Sequence, residues 1–318
     1  MPQTRHVVLV TYGEPPDPSF VDQLVYSWRI LIGLTRSVAP IPMPLVPVIA
    51  LSRARGRTRL WNRYRYRSPL EPITERQAHG LGGALADVNG ADWRVHVAYE
   101  FRRPLVADVL RAIPRDEPVV VVPMYAADSA FTHELSRGIA KTIVSGEPSR
   151  DIRVAGALDD EALADLSATH VLAHTADEGW RGASVALVLA AHGTVLNPRK
   201  PIATGLVATQ RLSDAIAARL SPHFGFVSNG WLNHTRGGKW TEPAIDKALA
   251  QSAATGVTRV VYYPYGFLAD NAESELEGRM ALEGLPAGVE SRHLPCLNES
   301  EALAALIVRS IVATEPGA

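Results

Sequence analysis

The chain has 318 residues, of which 47% are apolar and 20% charged, with a formal net charge of −1. That length suits one large or two ordinary domains with a real core, and the near-neutral balance argues against general nucleic-acid binding. A single cysteine, Cys296, excludes a disulfide framework or a cysteine-cluster metal site within the chain, so a reducing, cytoplasmic setting is expected.

The first residues give way at once to a strand-like run over residues 6–11, with no apolar leader or small-residue cleavage site of a signal peptide. A helix is predicted over 18–32. The apolar stretch over 30–51 carries Arg36, Pro40, Pro42, Pro44 and Pro47. Spaced prolines remove donors and clash with the preceding turn, so this stretch does not span a bilayer. It is expected to be a flap lining a cavity or touching a membrane surface, or else a buried irregular segment. Seven arginines follow between Arg53 and Arg67, interleaved with Trp61, Tyr64 and Tyr66. Such a run fits a solvated helix face, or a surface that grips carboxylates through guanidinium forks and stacks a planar partner on its aromatics.

Further strand-like runs fall at 94–98, 118–122, 152–155, 186–190, 225–228, 259–263 and 289–293. Helix-like stretches lie between them at 71–88, 105–113, 132–144, 160–178, 205–220, 242–254, 271–282 and 300–312. This alternation predicts an α/β fold with parallel sheets flanked by helices. The chain also reads as two copies of one plan. Val7-Val8-Leu9-Val10-Thr11-Tyr12-Gly13 opens one half and Val188-Leu189-Ala190-Ala191-His192-Gly193 the other. Two Rossmann-like domains, 1–165 and 166–318, are therefore expected, with Tyr12 and His192 facing each other across a cleft.

In doubly wound sheets, ligands bind beyond the carboxyl ends of the strands. His192 stands at such an end, placed for chemistry, although a loop histidine with a local hydrogen bond would read the same way. A second strand end passes through Pro264-Tyr265-Gly266 into a helix capped by Asp270 or Asn271. There Glu273 and Glu277 share a face while Glu275 points elsewhere. Acids in a first turn also simply complement the helix dipole. If Glu273 converges with His192, the pair suits a divalent metal or proton transfer. Glycine-rich nucleotide loops and a Gly-x-Ser-x-Gly elbow are absent. His223 and His234 read as loop histidines, and 234–239 as a flexible loop containing Gly237-Gly238.

Taken in order, these segments resemble the ferrochelatase family over most of the chain. The resemblance is carried by Leu9-Val10-Thr11-Tyr12-Gly13-Glu14-Pro15, Ser68-Pro69-Leu70 with Ile73-Thr74 and Gln77-Ala78, and Ala191-His192-Gly193. Gly230-Trp231, Trp240-Thr241-Glu242-Pro243, Gly266-Phe267-Leu268-Ala269-Asp270 through Glu273, and Leu294-Pro295 with Leu297-Asn298 complete it.

What the resemblance implies is insertion of ferrous iron into a porphyrin in haem biosynthesis, in a cleft between the two domains, with residues 30–67 as a porphyrin lip. His192 and Glu273 would be the catalytic pair and, with Glu277, the metal-handling residues. Tyr12, Arg29, Ser68 and His133 would contact the macrocycle. Tyr12 matches the coproporphyrin-using branch, so coproporphyrin III is expected over protoporphyrin IX. The resemblance implies no cofactor beyond substrate Fe²⁺, no nucleotide and no iron–sulfur cluster. Porphyrin and ferrous iron would be the partners, with transient contact to an iron donor or haem acceptor, no nucleic acid, and membrane contact left open.

Departures stand at Arg65, Tyr66 and Arg67, expected to crowd or recharge the porphyrin rim, and at Phe101, His133 and Thr194-Val195. A chelatase for another tetrapyrrole or metal such as cobalt, and a non-catalytic haem or porphyrin carrier, are the alternative readings.

Overall fold

The computed structural model describes residues 3–37, 42–198, 201–233 and 239–315. His234, the Gly237-Gly238 loop and Pro40 lie outside these. Two four-stranded parallel sheets form the frame. In the first, β1 (Thr4–Thr11) lies between β2 (Asp92–Tyr99) and β3 (Val119–Pro123), with β4 (Ile152–Val154) at the edge. In the second, β5 (Gly182–His192) lies between β6 (Phe224–Leu232) and β7 (Arg259–Tyr263), with β8 (Glu290–His293) at the edge. Both have the same order, so the two-copy reading of the opening strands extends to whole topologies.

The central strands are continuous aliphatic runs because helices cover both of their faces. Val7 to Val10 and Val185 to Ala190 are all fully buried, and each buried Val or Leu contributes roughly 1.5–3 kcal/mol. One cluster takes in Val7 and Leu9 of β1 and Leu187 and Leu189 of β5, together with Leu163 and Val171 of α6 (Asp160–His174). A shared core thus runs through both halves, and α6 is part of it. Other crossovers include α3 (Leu70–Leu85), α4 (Val106–Ala112), α5 (His133–Gly146), α7 (Leu206–Leu220) and α8 (Ile245–Ala254). The C-terminal helix α10 is Glu301–Thr314.

Two expectations change. Where it is described, the lip segment is mostly helical: α1 runs through Phe20–Ser37, and α2 occupies Val46–Tyr64 after a short 3₁₀ turn at Met43–Leu45. Pro44 and Pro47 sit in first turns, where a missing N–H costs nothing. The helix after β6 starts at Ile245, not 242, because Trp231 N–H bonds Pro243 O and ties that segment to β6. Among the described residues, no helix is long and apolar enough to cross a membrane.

Candidate active site

His192 is the last residue of β5. A side chain on Gly193 would run into Asn233 Oδ1 and come within 3.0 Å of Leu232 O, so glycine alone lets the chain turn away and leave the imidazole at the strand end. The ring Nδ1 lies 2.6 Å from Gly193 O. A carbonyl only accepts, so Nδ1 carries the proton and Nε2 is left as the basic nitrogen in the neutral ring. Nε2 faces Glu273 Oε2 at 3.8 Å, with the two side chains 52% and 21% exposed. The expected convergence of His192 and Glu273 is present.

Glu273 is presented by a π-helical turn, Ala272–Glu277, that leads into α9 (Gly278–Leu282). Such wide turns are rare and concentrate at functional sites. Asn271 is the cap: its side chain accepts from Glu273 N and Ser274 N, and Ser274 Oγ accepts from Asn271 N in return. Asp270, the other expected cap, instead turns inward and accepts from Cys296 N at 2.8 Å and Asn298 Nδ2 at 2.7 Å. Glu275 leaves the Glu273 side as expected and accepts from Tyr66 OH at 3.3 Å. Glu277 stands further along the turn. Among the described residues, no three of His, Cys, Asp and Glu come together as a metal-holding group, so the expected trio of His192, Glu273 and Glu277 is not assembled as one cluster.

Residues of the first half pack directly against the segment that carries Glu273. Tyr12, beyond β1, packs against Leu70, Ile73 and Ala269, and its buried hydroxyl has no hydrogen-bond partner. Burial pushes the Tyr12 phenol far above its ordinary pKa, and the charges of Glu14 and Glu273 push the same way. Two residues on, Glu14 is 1% exposed and was not singled out from sequence. Its carboxylate accepts from Arg57 Nη2 at 2.6 Å, Ser68 Oγ at 2.7 Å and Ala272 N at 3.0 Å. It thereby joins the β1 loop, α2, the Ser68 segment and the first amide of the Glu273 turn. Burial pushes the Glu14 carboxyl up, and Arg57, Ser68 and Ala272 pull it back. Burial also works against the Arg57 charge, but Glu14 outweighs it and holds the guanidinium protonated.

The arginine run divides on α2. Arg57 points in, with its guanidinium over the Tyr26 and Trp61 rings at 5.3 and 5.1 Å and Nε bonded to Gln23 Oε1 at 2.8 Å. Arg53, one turn earlier, also faces the site: burial lowers its pKa, and Tyr26, Glu273 and Glu277 oppose that shift. Arg55, Arg59, Arg63, Arg65 and Arg67 are exposed. The expected crowding of the rim by Arg65, Tyr66 and Arg67 is therefore corrected. Arg65 and Arg67 turn to solvent, Arg67 pairing with Asp17, and Tyr66 packs edge-on against Trp61, with Ala272 and Leu276 in the same cluster. Those two aromatics fill a core where a stacking role had been expected.

The other expected contacts are distributed more widely. Arg29 Nη1 donates to Phe101 O at 3.3 Å. The Ser68 hydroxyl is committed to Glu14 while accepting from Leu70 N. His133 opens α5, is fully buried, and has Nδ1 3.4 Å from Thr132 Oγ1; burial lowers its pKa.

The ferrochelatase family model matches residues 4–315. A ferrochelatase of Phenylobacterium zucineum is 26% identical over 279 residues, covering 85% of this chain and 79% of that protein. One from Brucella anthropi is 26% identical over 324 residues, covering 93% and 87%. Among solved structures, the sirohydrochlorin chelatase of Bacillus subtilis subspecies spizizenii, in complex with cobalt, superposes with a TM-score of 0.53 at 12% identity, covering 98% of this chain and 95% of that one. CbiX, the terminal enzyme of sirohaem biosynthesis in denitrifying bacteria, gives 0.53 at 17% identity, covering 98% and 100%. These two likenesses speak for the fold. With a family model spanning nearly its whole length, the chain belongs to the ferrochelatase family.

Proposed function

We propose that this protein inserts ferrous iron into a porphyrin, with coproporphyrin III preferred over protoporphyrin IX. The observation that carries the reading is the His192–Glu273 pair, 3.8 Å apart at a strand carboxyl end. Insertion exchanges one dication for two pyrrole protons. His192 Nε2, left basic by the Nδ1 contact to Gly193 O, takes one pyrrole proton, and the second leaves to solvent water, which the half-exposed imidazole also meets. The Glu273 carboxylate offsets the imidazolium so formed and draws in the cation as its water is shed. Glu277, further along the same turn, extends the acidic approach. Tyr12 supports the preference for coproporphyrin only through the family resemblance, and so does Arg29 as a contact for ring carboxylates; Arg53, which feels the charges of Glu273 and Glu277, is the other arginine assigned to them.

Anaerobic assays with coproporphyrin III, protoporphyrin IX and sirohydrochlorin, each with Fe²⁺ and Co²⁺, test this. The expected result is fastest turnover of coproporphyrin III with Fe²⁺. Turnover confined to sirohydrochlorin or Co²⁺ would make it a different chelatase, and stoichiometric porphyrin binding without insertion would make it a carrier.

A further inference from the structure

The π-turn that carries Glu273 has a backbone problem. The amide of Gly278 donates to Glu275 O rather than to Ser274 O four residues back, as an α-helix would require. The Ser274 carbonyl is reached instead from behind the site: His293 Nε2, on the last residue of β8, lies 2.7 Å from Ser274 O. A carbonyl only accepts, so Nε2 carries the proton.

The ring cannot easily swing away. It stacks on Tyr262 of β7 with centroids 5.0 Å apart and an interplanar angle of 25°. Gly278 closes the third side, since a methyl there would lie 2.7 Å from Tyr262 Cε1 and 2.9 Å from His293 Nε2. Burial lowers the His293 pKa, consistent with a neutral ring that keeps one defined donor. Ser274 adjoins Glu273, so fixing the Ser274 carbonyl fixes the direction in which Glu273 leaves the turn.

We propose that His293 is a positioning residue that holds the wide turn in register by capping Ser274 O and so aims Glu273 at His192. It rests on the function proposed above, and touches neither substrate nor metal. Outer hydrogen-bond partners of this kind typically contribute about 10–100-fold to activity.

The test compares His293→Phe, which keeps a ring on Tyr262 but removes the donor, with His293→Gln, which restores an N–H at a similar reach. Fe²⁺ insertion into coproporphyrin III and hydrogen exchange over residues 271–283 are measured on the full chain. His293→Phe should lower kcat about 10–100-fold with KM for porphyrin nearly unchanged, and amide protection in the turn should fall about tenfold. His293→Gln should recover most of both. Unchanged kcat and protection in the Phe variant would overturn the proposal, as would a Gln variant as impaired as Phe. If the wild type inserts no metal yet protection still falls in the Phe variant, the functional reading fails and the turn-holding role survives.

Discussion

The two halves use one strand order and the same point on it, yet end differently. Beyond β1 the chain carries Tyr12 and Glu14 into packed surroundings, with Glu14 locked by three hydrogen bonds. At the end of β5, His192 stays 52% exposed beside a carboxylate. A common scaffold position thus becomes a packed, buried junction in one half and an exposed histidine beside a carboxylate in the other, and local burial makes the difference. The sharpest way to break this comparison is to delete each half's group. His192→Ala should lower kcat by about 10²–10⁴, the range for loss of a general base, while porphyrin affinity by fluorescence quenching stays near wild type. Tyr12→Phe should keep kcat within about twofold, since its hydroxyl has no partner to lose. Equal losses in the two variants would place chemistry in both halves.

Second in size is the junction at Glu14, where an ion pair within the first half also meets the Glu273 turn. Glu14→Ala leaves the Arg57 guanidinium without its ion-pair partner, a change that costs about 3–5 kcal/mol when the pair is buried. Urea unfolding measures it. Adding Arg57→Met should recover much of the loss, because the stranded charge is then gone. A cost below about 1 kcal/mol, the range of an exposed pair, would mean that Glu14 does not join α2 to the Glu273 turn energetically.

Much of this architecture is legible from residues alone, and the exceptions have physical causes. All eight strands are visible because each is a short aliphatic or alternating run between turn residues, and His192 is visible because a polar ring ends an apolar strand. Helix α2 is hidden by its prolines: a helix breaker in the interior is harmless in the first turn, and only the fold says which applies. The arginine run hides its division into inward Arg53 and Arg57 and outward neighbours. Glu14 and His293 were overlooked for another reason. Glu14 meets Ala272 N across 258 positions of sequence, and His293 meets Ser274 O across 19 positions and between separate elements. No local pattern announces either contact.

The turn itself offers the third test. Gly278→Ala would set a methyl within 3 Å of both Tyr262 and His293, and overpacking of this kind costs about 1–3 kcal/mol. The loss should appear as lower stability together with reduced kcat, because the turn must shift to make room. The same substitution at Gly83, where nothing lies within 4 Å, should instead be neutral or stabilising, as alanine is the better helix former.

The last expected effect separates the halves by pH. Glu100, just past β2, has its carboxyl raised from 4.5 to about 8 by burial, against the pull of the Tyr125 hydroxyl 3.0 Å away. Between those values the folded chain holds a proton that the unfolded chain releases. Its contribution is therefore complete below pH 4.5, falls as pH rises, and levels off above about 8. His96 on β2 works the other way. Burial, then His6 and Arg94, lower its pKa, so its contribution is present above the unfolded value and is lost as pH falls through it. The matching position past β6 holds Asn233, which donates to Thr241 O at 3.0 Å and has no proton to lose. Urea midpoints at pH 5.5 and 8.5 should then show Glu100→Gln gaining on the wild type as pH rises. An identical pH profile for the two proteins would mean that Glu100 is ionised in the fold despite its burial.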